Sequence, residues 1–300
     1  MVFDVGRGQC IALRTPNNHL ILIDCGSSDT FSPATYLAAC GSFWTGRHGH
    51  ALTKLIVTHP HTDHIADIER ISAHLTPSII LRRSDLDRTR IGGSNGNSAA
   101  YEHYARNYLP PEYNASIPPS MYPDWGERFS LRSYSLSEPI VRQVSTSDNA
   151  YVNNSSFVTV VKYGGYTIVF SGDIESDGLR ELLHEHQDLG VNIIKTRDLF
   201  GHEVCGVDFL VAPHHGHPSG FSTTWFDWAG PTRIFNVVSE RRLRPGENAS
   251  RAHVDTRYSD AQYSLAMNRE GRRMVSTRAD GHISITINDD GTWNWQGVRI

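Results

Sequence analysis

The feature that most constrains this chain is a histidine-rich turn, His59-Pro-His-Thr-Asp-His64, which directly follows the apolar run Leu55-Ile-Val. The apolar run is typical of a buried strand, and helix-spaced apolar residues begin at Ile65. Four side chains with metal-binding groups share this strand-to-helix turn: His59, His61, Asp63 and His64. Imidazole and carboxylate are ligands of divalent ions such as zinc, and groups this close in sequence can reach one point. The turn therefore predicts a metal site at a strand end.

Two other predicted strands end in candidate ligands. Residues 166–171 form an apolar run that leads into Asp173, which places a carboxylate at the carboxyl end of a buried strand. Residues 207–212 form a similar run that continues into Pro213-His-His-Gly-His217. Three strand ends therefore supply aspartate or histidine side chains.

The order of the remaining elements indicates the architecture. Further strands are predicted at residues 2–5, 9–15, 19–24, 78–81, 129–136, 153–163, 233–238, 273–277, 282–288 and 292–298. Helices are predicted at residues 33–40, 65–75, 99–108, 177–186, 220–228 and 260–268. Residues 82–128 are weakly patterned, which predicts an insertion or a lid over the active site. Two β-rich halves with helices outside predict a β-sandwich flanked by helices.

Composition restricts the class of protein. With 39% apolar and 20% charged residues, the chain has the composition of an ordinary soluble globular protein. No apolar run approaches the roughly 20 residues needed to cross a bilayer, and no signal-peptide pattern is seen, so we expect a cytoplasmic location. The four cysteines form no C-x-x-C pair, so neither a thiolate metal site nor a disulfide framework is indicated.

Charge is distributed unevenly along the chain. The net charge of -4 and the pI near 6.5 argue against a surface coated with basic residues for duplex DNA. Residues 233–278 nevertheless contain ten arginines and five acidic residues. This excess is compatible with a local surface for an anionic substrate, although a solvated face is the commoner explanation.

The three ligand-bearing segments resemble a known family. In their order along the chain, His59-Pro-His-Thr-Asp-His64, Ser171-Gly-Asp173 and Pro213-His-His-Gly216 resemble the metallo-β-lactamase superfamily of two-metal hydrolases. The resemblance covers nearly the whole chain and implies an α+β fold, an αββα sandwich of two mixed sheets with helices outside, in a single domain over residues 1–300. Six segments are similar to the hydrolase domain of ComEC-type competence proteins: Val2-Phe-Asp-Val-Gly-Arg-Gly-Gln, Ile21-Leu-Ile-Asp-Cys-Gly, Asn153-Asn-Ser-Ser, Phe170-Ser-Gly-Asp, Ala212-Pro-His-His-Gly and Thr277-Arg-Ala-Asp-Gly-His-Ile-Ser-Ile.

The resemblance implies two divalent metal ions, zinc or manganese. His59 and His61 would hold the first ion, Asp63 and His64 the second. Asp173 would bridge the two ions. Two ions that share a carboxylate can lower the pKa of a shared water and stabilise charge on an attacked phosphorus or carbonyl.

One histidine after the later strand would complete the second site. The sequence does not decide between His214 and His215. We favour His214 as the ligand because it comes first after the strand, and give His215 a phosphate-contact or proton-donor role. Asp63 and His215 are thus the candidate catalytic residues. Asp24, at an earlier strand end, is a candidate for orienting a metal-bound histidine, with turn capping as the alternative.

Most superfamily members supply another histidine between the histidine turn and the aspartate, whereas this chain has Asn153 and Asn154 in the comparable place. These two residues and His253 are candidate substrate contacts. The substitution favours the ComEC-type subgroup and a harder ion such as manganese, which accepts an oxygen-rich shell.

Three functions are compatible with these features. The first is a phosphodiesterase or nuclease acting on single-stranded nucleic acid or a nucleotide. The second is a hydrolase of a small lactone, thioester or phosphocholine ester, favoured by six aromatic residues within 101–125. The third is a non-catalytic binding module on the same fold. No protein partner is indicated by the sequence.

Overall fold

The computed structural model describes residues 1–40, 52–96, 98–110, 123–189, 196–197, 203–204, 206–227, 234–240, 254–265 and 272–299. The strands are β1 (Ile11–Arg14), β2 (Leu20–Ile23), β3 (Lys54–Ile56), β4 (Ile79–Leu81), β5 (Ser130–Tyr134), β6 (Val158–Tyr163), β7 (Tyr166–Phe170), β8 (Thr196–Arg197), β9 (Glu203–Val204), β10 (Phe209–Val211), β11 (Phe235–Val238), β12 (Met274–Ser276), β13 (His282–Ile287) and β14 (Trp293–Val298). The α-helices are α1 (Pro33–Ala39), α2 (Thr62–Ile65), α3 (Ile68–His74), α4 (Arg88–Asn95), α5 (Ala99–Tyr108), α6 (Glu138–Val144), α7 (Asp148–Asn154), α8 (Ser176–Glu185), α9 (Thr224–Asp227) and α10 (Thr277–Asp280). Short 3₁₀ helices cover Pro213–Gly216, Pro218–Gly220 and Thr256–Ser259. Among these helices, none is both long and apolar enough to cross a bilayer.

The strands form two mixed sheets. The first has the order β1-β2-β3-β4, with β2, β3 and β4 parallel, and bridges from Val2 to Ile11 and Ile283 connect it to the β13–β14 hairpin. The second has the order β12-β11-β10-β7-β6-β5, with β12, β11, β10 and β7 parallel. The carboxyl ends of β3, β7 and β10 are followed by the histidine turn, Asp173 and the His214-His215 pair. Parallel pairing within the second sheet brings the last two of these sets to one edge.

Alternating side chains explain why the sheets pack on each other. In β2, Ile21 and Ile23 lie in a buried cluster with Phe170, Phe209 and other side chains of the second sheet. The intervening leucines of β2 lie in a different cluster, which includes residues of α1 and α3. Because successive strand residues point to opposite faces, a strand that is apolar throughout is covered on both sides. The αββα sandwich predicted from the sequence is confirmed.

Several local predictions were wrong. The predicted helix at 65–75 is interrupted before Ile68 because the buried Asp67 carboxylate accepts the Ala34 amide at 2.8 Å, which ties α3 to α1. Residues 260–265 belong to no helix, and the four-residue 3₁₀ helix precedes them. Residues 2–5 form no regular strand, and β-bridges are made there by Val2.

Two further differences affect the site. Asn153 and Asn154 end helix α7, although the sequence predicted that they begin a strand; β6 begins at Val158. Helix α4 was not predicted, because its Gly92-Gly93 pair disfavours a helix. The single domain over 1–300 and the lid at 82–128 stay predictions.

Candidate metal centre

The first group of candidate ligands consists of His59, His61 and Asp173, with one donor atom from each lying within 4.8 Å of the others. His59 Nε2 is 3.1 Å from His61 Nδ1 and 3.8 Å from Asp173 Oδ2. His59 and Asp173 are buried, whereas His61 is half-buried at the cleft. The predicted first site thus comes together from two strand ends.

The second group consists of Asp63, His64 and His215. His215 Nε2 lies 3.2 Å from His64 Nε2 and 3.7 Å from Asp63 Oδ2. Asp173 also contacts this group, since its Oδ1 is 3.2 Å from His64 Nε2 and its Oδ2 is 3.6 Å from His215 Nε2. Asp173 therefore lies between the two groups, as the resemblance implied.

Hydrogen bonds determine which nitrogen of His59 carries a proton. The Thr58 hydroxyl donates to Asp24 Oδ2 at 2.8 Å, so its oxygen can only accept from His59 Nδ1 at 3.1 Å. The proton of neutral His59 is thus on Nδ1, and the lone pair is on Nε2. His59 therefore presents a metal-binding atom to the group.

The same reasoning applies to His61. The Ser94 hydroxyl donates to Asn149 Oδ1 at 2.6 Å and therefore accepts from His61 Nε2 at 2.6 Å. The lone pair of neutral His61 is then on Nδ1, which faces His59 Nε2. Two lone pairs 3.1 Å apart repel each other unless a cation or a proton lies between them. Two nitrogens bound to zinc at about 2.0–2.1 Å in a tetrahedral shell are about 3.3 Å apart, so this pair fits a divalent ion.

Asp24 orients the third histidine. Its Oδ2 accepts from His64 Nδ1 at 2.8 Å, and its Oδ1 accepts the Thr58 amide at 2.7 Å. Asp24 and His64 are fully buried. A carboxylate on the far nitrogen fixes the orientation of a ligating imidazole and increases its basicity. The contact supports the orienting role predicted for Asp24.

Burial and charge keep most of these groups in metal-binding form. Burial lowers the pKa of His59 and His215, and it lowers that of His61 to about 4, so these imidazoles are neutral. At Asp173 burial opposes ionisation, but the neighbouring imidazoles of His64 and His215 outweigh it and hold the carboxyl pKa well below its ordinary value.

His64 differs from the other three histidines. Burial acts to lower its pKa, but Asp173 and Asp24 together outweigh burial and raise the pKa well above the ordinary histidine value. A metal ion must therefore displace a proton from His64 to bind there. Asp173 Oδ1 lies 3.2 Å from His64 Nε2, so loss of this proton would leave both groups free to bind the ion.

The structure favours the opposite roles for His214 and His215 from those that the sequence favoured. His215 lies in the second group, whereas His214 Nδ1 contacts the Ser219 hydroxyl at 3.0 Å and its Nε2 is 3.9 Å from Asp173 Oδ2. Both residues have positive φ, 51° and 54°, so the chain turns sharply and only the second imidazole reaches Asp63. We therefore correct the choice and treat His215 as the candidate ligand.

The opening turn packs directly beneath the histidine turn. A Cβ atom on Gly8 or on Gly26 would clash with the Asp63 carbonyl oxygen. Ser239 donates a hydrogen bond to the Gly8 carbonyl at 2.7 Å. Glycine is therefore required for this close approach, which brings Arg7 to the side of the cleft that carries Asp63.

Both ligand groups open into a cleft of about 1110 Å³. Most of the described residues that line it have a polar or charged side chain, among them Arg7 and Arg278. The other lining residues are Ser27, His61, Thr62, Asp63, Ala66, Ser94, Asn95, Thr146, Ser147, Asn149, Ala150, Asn153, Asp173, Glu175, His214, His215, His217, Ser219, Ser239, Glu240 and Val254. Among the described residues that line the cleft, none carries a phenyl, phenol or indole ring.

The predicted substrate contacts have different outcomes. Asn153 lines the cleft, whereas Asn154 is buried behind it and accepts the Glu175 amide at 3.0 Å. His253 lies outside the described residues. Of the arginines in 233–278 that the structure describes, Arg278 alone lines the cleft. Arg7 was not singled out by the sequence, because its position depends on a long-range contact of the next residue.

Comparison with known proteins identifies the family. The model of the metallo-beta-lactamase superfamily matches residues 3–204, which is more than half of the chain. The protein therefore belongs to the metallo-beta-lactamase superfamily, whose members are mostly metal-dependent hydrolases. A search of curated proteins gave no match. The finer resemblance to ComEC-type proteins stays a prediction.

Proposed function

We propose that this protein is a two-metal hydrolase of phosphodiesters, acting on single-stranded nucleic acid or on a nucleotide-like compound. The observation that carries the proposal is the presence of two arginines, Arg7 and Arg278, in the cleft that both ligand groups line. Arg7 is exposed and adjoins Gly8, which packs on Asp63. Arg278 is held by Glu240 at 3.1 Å. Guanidinium groups bind phosphate oxygens through paired, charge-assisted hydrogen bonds.

The metal ions would be held by the two groups described above. His59, His61 and Asp173 would hold one ion, and the remaining three side chains, Asp63, His64 and His215, the other. When bound, such ions supply an activated water and stabilise charge on the attacked phosphorus. Manganese or zinc is compatible with these ligands.

The residues of this chain supply orientation and a proton. Arg7 and Arg278 would hold the two non-bridging phosphate oxygens on the side of Asp63. The hydroxyl and amide groups on the opposite wall, such as Ser94 and Asn149, would contact sugar or backbone oxygens. His214 has its Nε2 near Asp173 and keeps a partly exposed side chain, so it can donate a proton to the leaving oxygen.

The second candidate function, hydrolysis of a small lactone, thioester or phosphocholine ester, is less well supported. It was favoured by the aromatic insertion. Tyr101, Tyr104 and Tyr108 are buried in the core, and neither they nor Trp125 line the cleft, whereas Tyr113 and Tyr122 lie outside the described residues. Drug-sized apolar ligands bind in sites lined mainly by apolar and aromatic side chains, and the described part of this cleft offers no aromatic side chain. The subgroup that fits a phosphodiesterase best is the ComEC type, which we retain as part of the proposal.

The test is a substrate comparison with defined metal. Metal-free protein is refilled with manganese or zinc and incubated with single-stranded DNA, RNA, bis(p-nitrophenyl) phosphate, a lactone and a thioester. We expect metal-dependent cleavage of phosphodiesters only. Cleavage of the lactone or thioester alone would overturn the substrate class, and full biological activity of an Asp173→Ala variant would favour the non-catalytic binding module.

Two variants test the arginine pair directly. Arg7→Gln and Arg278→Gln should each raise KM for phosphodiesters by about tenfold, since each removes one charged hydrogen-bonding group. Arg132→Gln is the matched control, because Arg132 is exposed on β5 away from the cleft. An equal effect of all three variants would indicate non-specific attraction rather than a phosphate site.

A further inference from the structure

The first ligand group provides two imidazoles and one carboxylate, and the Asp173 carboxylate also contacts the second group. A zinc site uses three or four protein ligands, so a first ion that shares Asp173 leaves room for a further donor from the chain. Among the described residues, the other histidines of the interval 65–152 do not reach it. His74 is exposed at the end of α3, and His103 contacts the Ser72 hydroxyl at 3.0 Å.

Asn153 has a side-chain oxygen that accepts no hydrogen bond from any residue that the structure describes. The residue is 4% exposed, lies at the end of α7 and lines the cleft. Its Nδ2 donates to Glu175 Oε1 at 3.1 Å, while its buried Oδ1 accepts no hydrogen bond. Because a carboxylate only accepts, the amide nitrogen must face Glu175, and the oxygen must therefore point the other way.

An unpaired buried carbonyl is unfavourable by about 1–3 kcal/mol. A ligand that pairs with such an oxygen in a cleft removes this unfavourable free energy, so the position favours ligand binding. Asn236 also has an unpaired buried oxygen, but it lies within β11 and lines no cleft. The combination of an unpaired oxygen with a place in the cleft singles out Asn153.

A short chain of contacts places Asn153 beside the first ligand group. Its backbone carbonyl accepts the Ser156 amide at 3.0 Å. The Ser156 hydroxyl in turn lies 3.1 Å from His59 Nδ1 and accepts the Asp173 amide at 3.0 Å. Asn153, His61 and Asp173 all line the same cleft.

We propose that Asn153 Oδ1 is a neutral oxygen ligand of the first metal ion and that it shifts this site toward manganese. The proposal rests on the two-metal hydrolase proposed above. Imidazole favours zinc, whereas carbonyl, carboxylate and water oxygens favour manganese. Replacing a histidine by an amide oxygen lowers the affinity for zinc more than that for manganese. Glu175 acts as a positioning residue, since it holds the amide in the required orientation.

Metal binding, rather than turnover, provides the test. Manganese is titrated into metal-free protein, with free manganese followed by its electron paramagnetic resonance signal and heats followed by calorimetry. We expect two ions per wild-type chain. Asn153→Ala should lower the affinity for one ion by at least about tenfold and leave the affinity for the other ion unchanged. His59→Ala should lower the affinity for the same ion. The double variant should therefore bind that ion only slightly more weakly than His59→Ala alone.

Two further variants cover the case in which Asn153→Ala does not fold. Asn153→Asp keeps an oxygen at this position and should retain two ions. Asn153→His should raise the zinc-to-manganese affinity ratio by at least about tenfold.

The outcomes separate this proposal from the proposed function. Wild-type affinity for both ions in Asn153→Ala, or an unchanged metal preference in Asn153→His, would overturn the ligand assignment. A raised KM with unchanged metal affinity would also overturn it and make Asn153 a substrate contact. Two bound ions without phosphodiester cleavage would refute the function and leave the ligand assignment standing.

Discussion

Replacing Asp24 by asparagine separates the charge of this side chain from its shape. Asp24 is fully buried and has φ 59°, in the left-handed region, where asparagine is one of the few tolerated residues. The backbone and the side-chain volume therefore stay almost unchanged. The change converts one carboxylate oxygen into an amide group and removes the charge next to His64.

The hydrogen bonds of Asp24 determine how much stability the Asp24→Asn variant should lose. Oδ1 accepts only the Thr58 amide, whereas Oδ2 accepts from Gln9 at 3.1 Å, from the Thr58 hydroxyl at 2.8 Å and from His64. The new NH₂ group faces the fewest donors at the Oδ1 position. There it leaves the buried Thr58 amide unpaired, at a cost of about 1–3 kcal/mol, and the bond to His64 becomes neutral and weaker by about 1 kcal/mol. We expect the free energy of unfolding of the metal-free protein to fall by about 3 kcal/mol.

Chemical denaturation and metal titration provide the assays. Asp24→Asn should also weaken the ion of the second group by about 10–100-fold, as changes to partners of metal-bound histidines do. Asp29→Asn removes the same charge from an exposed position nearby and should change neither quantity. Unchanged second-site affinity in Asp24→Asn would refute the view that this carboxylate orients His64.

Two other predictions concern stability. Burial raises the pKa of Asp208 to about 6 from 3.8, so its contribution to stability is present below about pH 4 and is lost as the pH rises through 6. Asp208→Asn should therefore be more stable than wild type by up to about 3 kcal/mol at pH 8. Equal stability of the two proteins at pH 8 in denaturation curves would contradict this. Gly26→Ala should destabilise the protein by more than about 2 kcal/mol and weaken the second ion, because its Cβ meets the Asp63 carbonyl. Gly93→Ala, which has room in helix α4, should instead raise the melting temperature slightly.

The residues that could be predicted from the sequence are those whose chemistry and local pattern agree. The turn His59–His64 joins a buried strand to a helix in an uninterrupted sequence, so its ligands were identifiable without any long-range information. Asp173 was identifiable for the same reason, since it follows an apolar strand. The αββα arrangement followed from the family resemblance and is supported by strands that are apolar on both faces.

The missed features depend on contacts between distant segments or on backbone angles. The choice between His214 and His215 depends on two consecutive positive φ angles, which are uncommon for any residue other than glycine. Arg7 reaches the cleft because Gly8 packs against the Asp63 carbonyl, far away in sequence. Asn153 was assigned to a strand because polar residues before an apolar run resemble a strand start, whereas helix α7 is capped by Ser147.

The two halves of the histidine turn differ in what lies behind each imidazole. His64 donates directly to the Asp24 carboxylate, which makes it a stronger ligand. His59 and His61 donate instead to hydroxyl groups, those of Thr58 and Ser94, whose own protons go to Asp24 and Asn149. A hydroxyl increases the basicity of the imidazole less than a carboxylate does, so an ion in the first group would be held by weaker nitrogen donors. An additional oxygen ligand contributes most at such a site, and the first ion is therefore the one expected to exchange more readily and to be manganese.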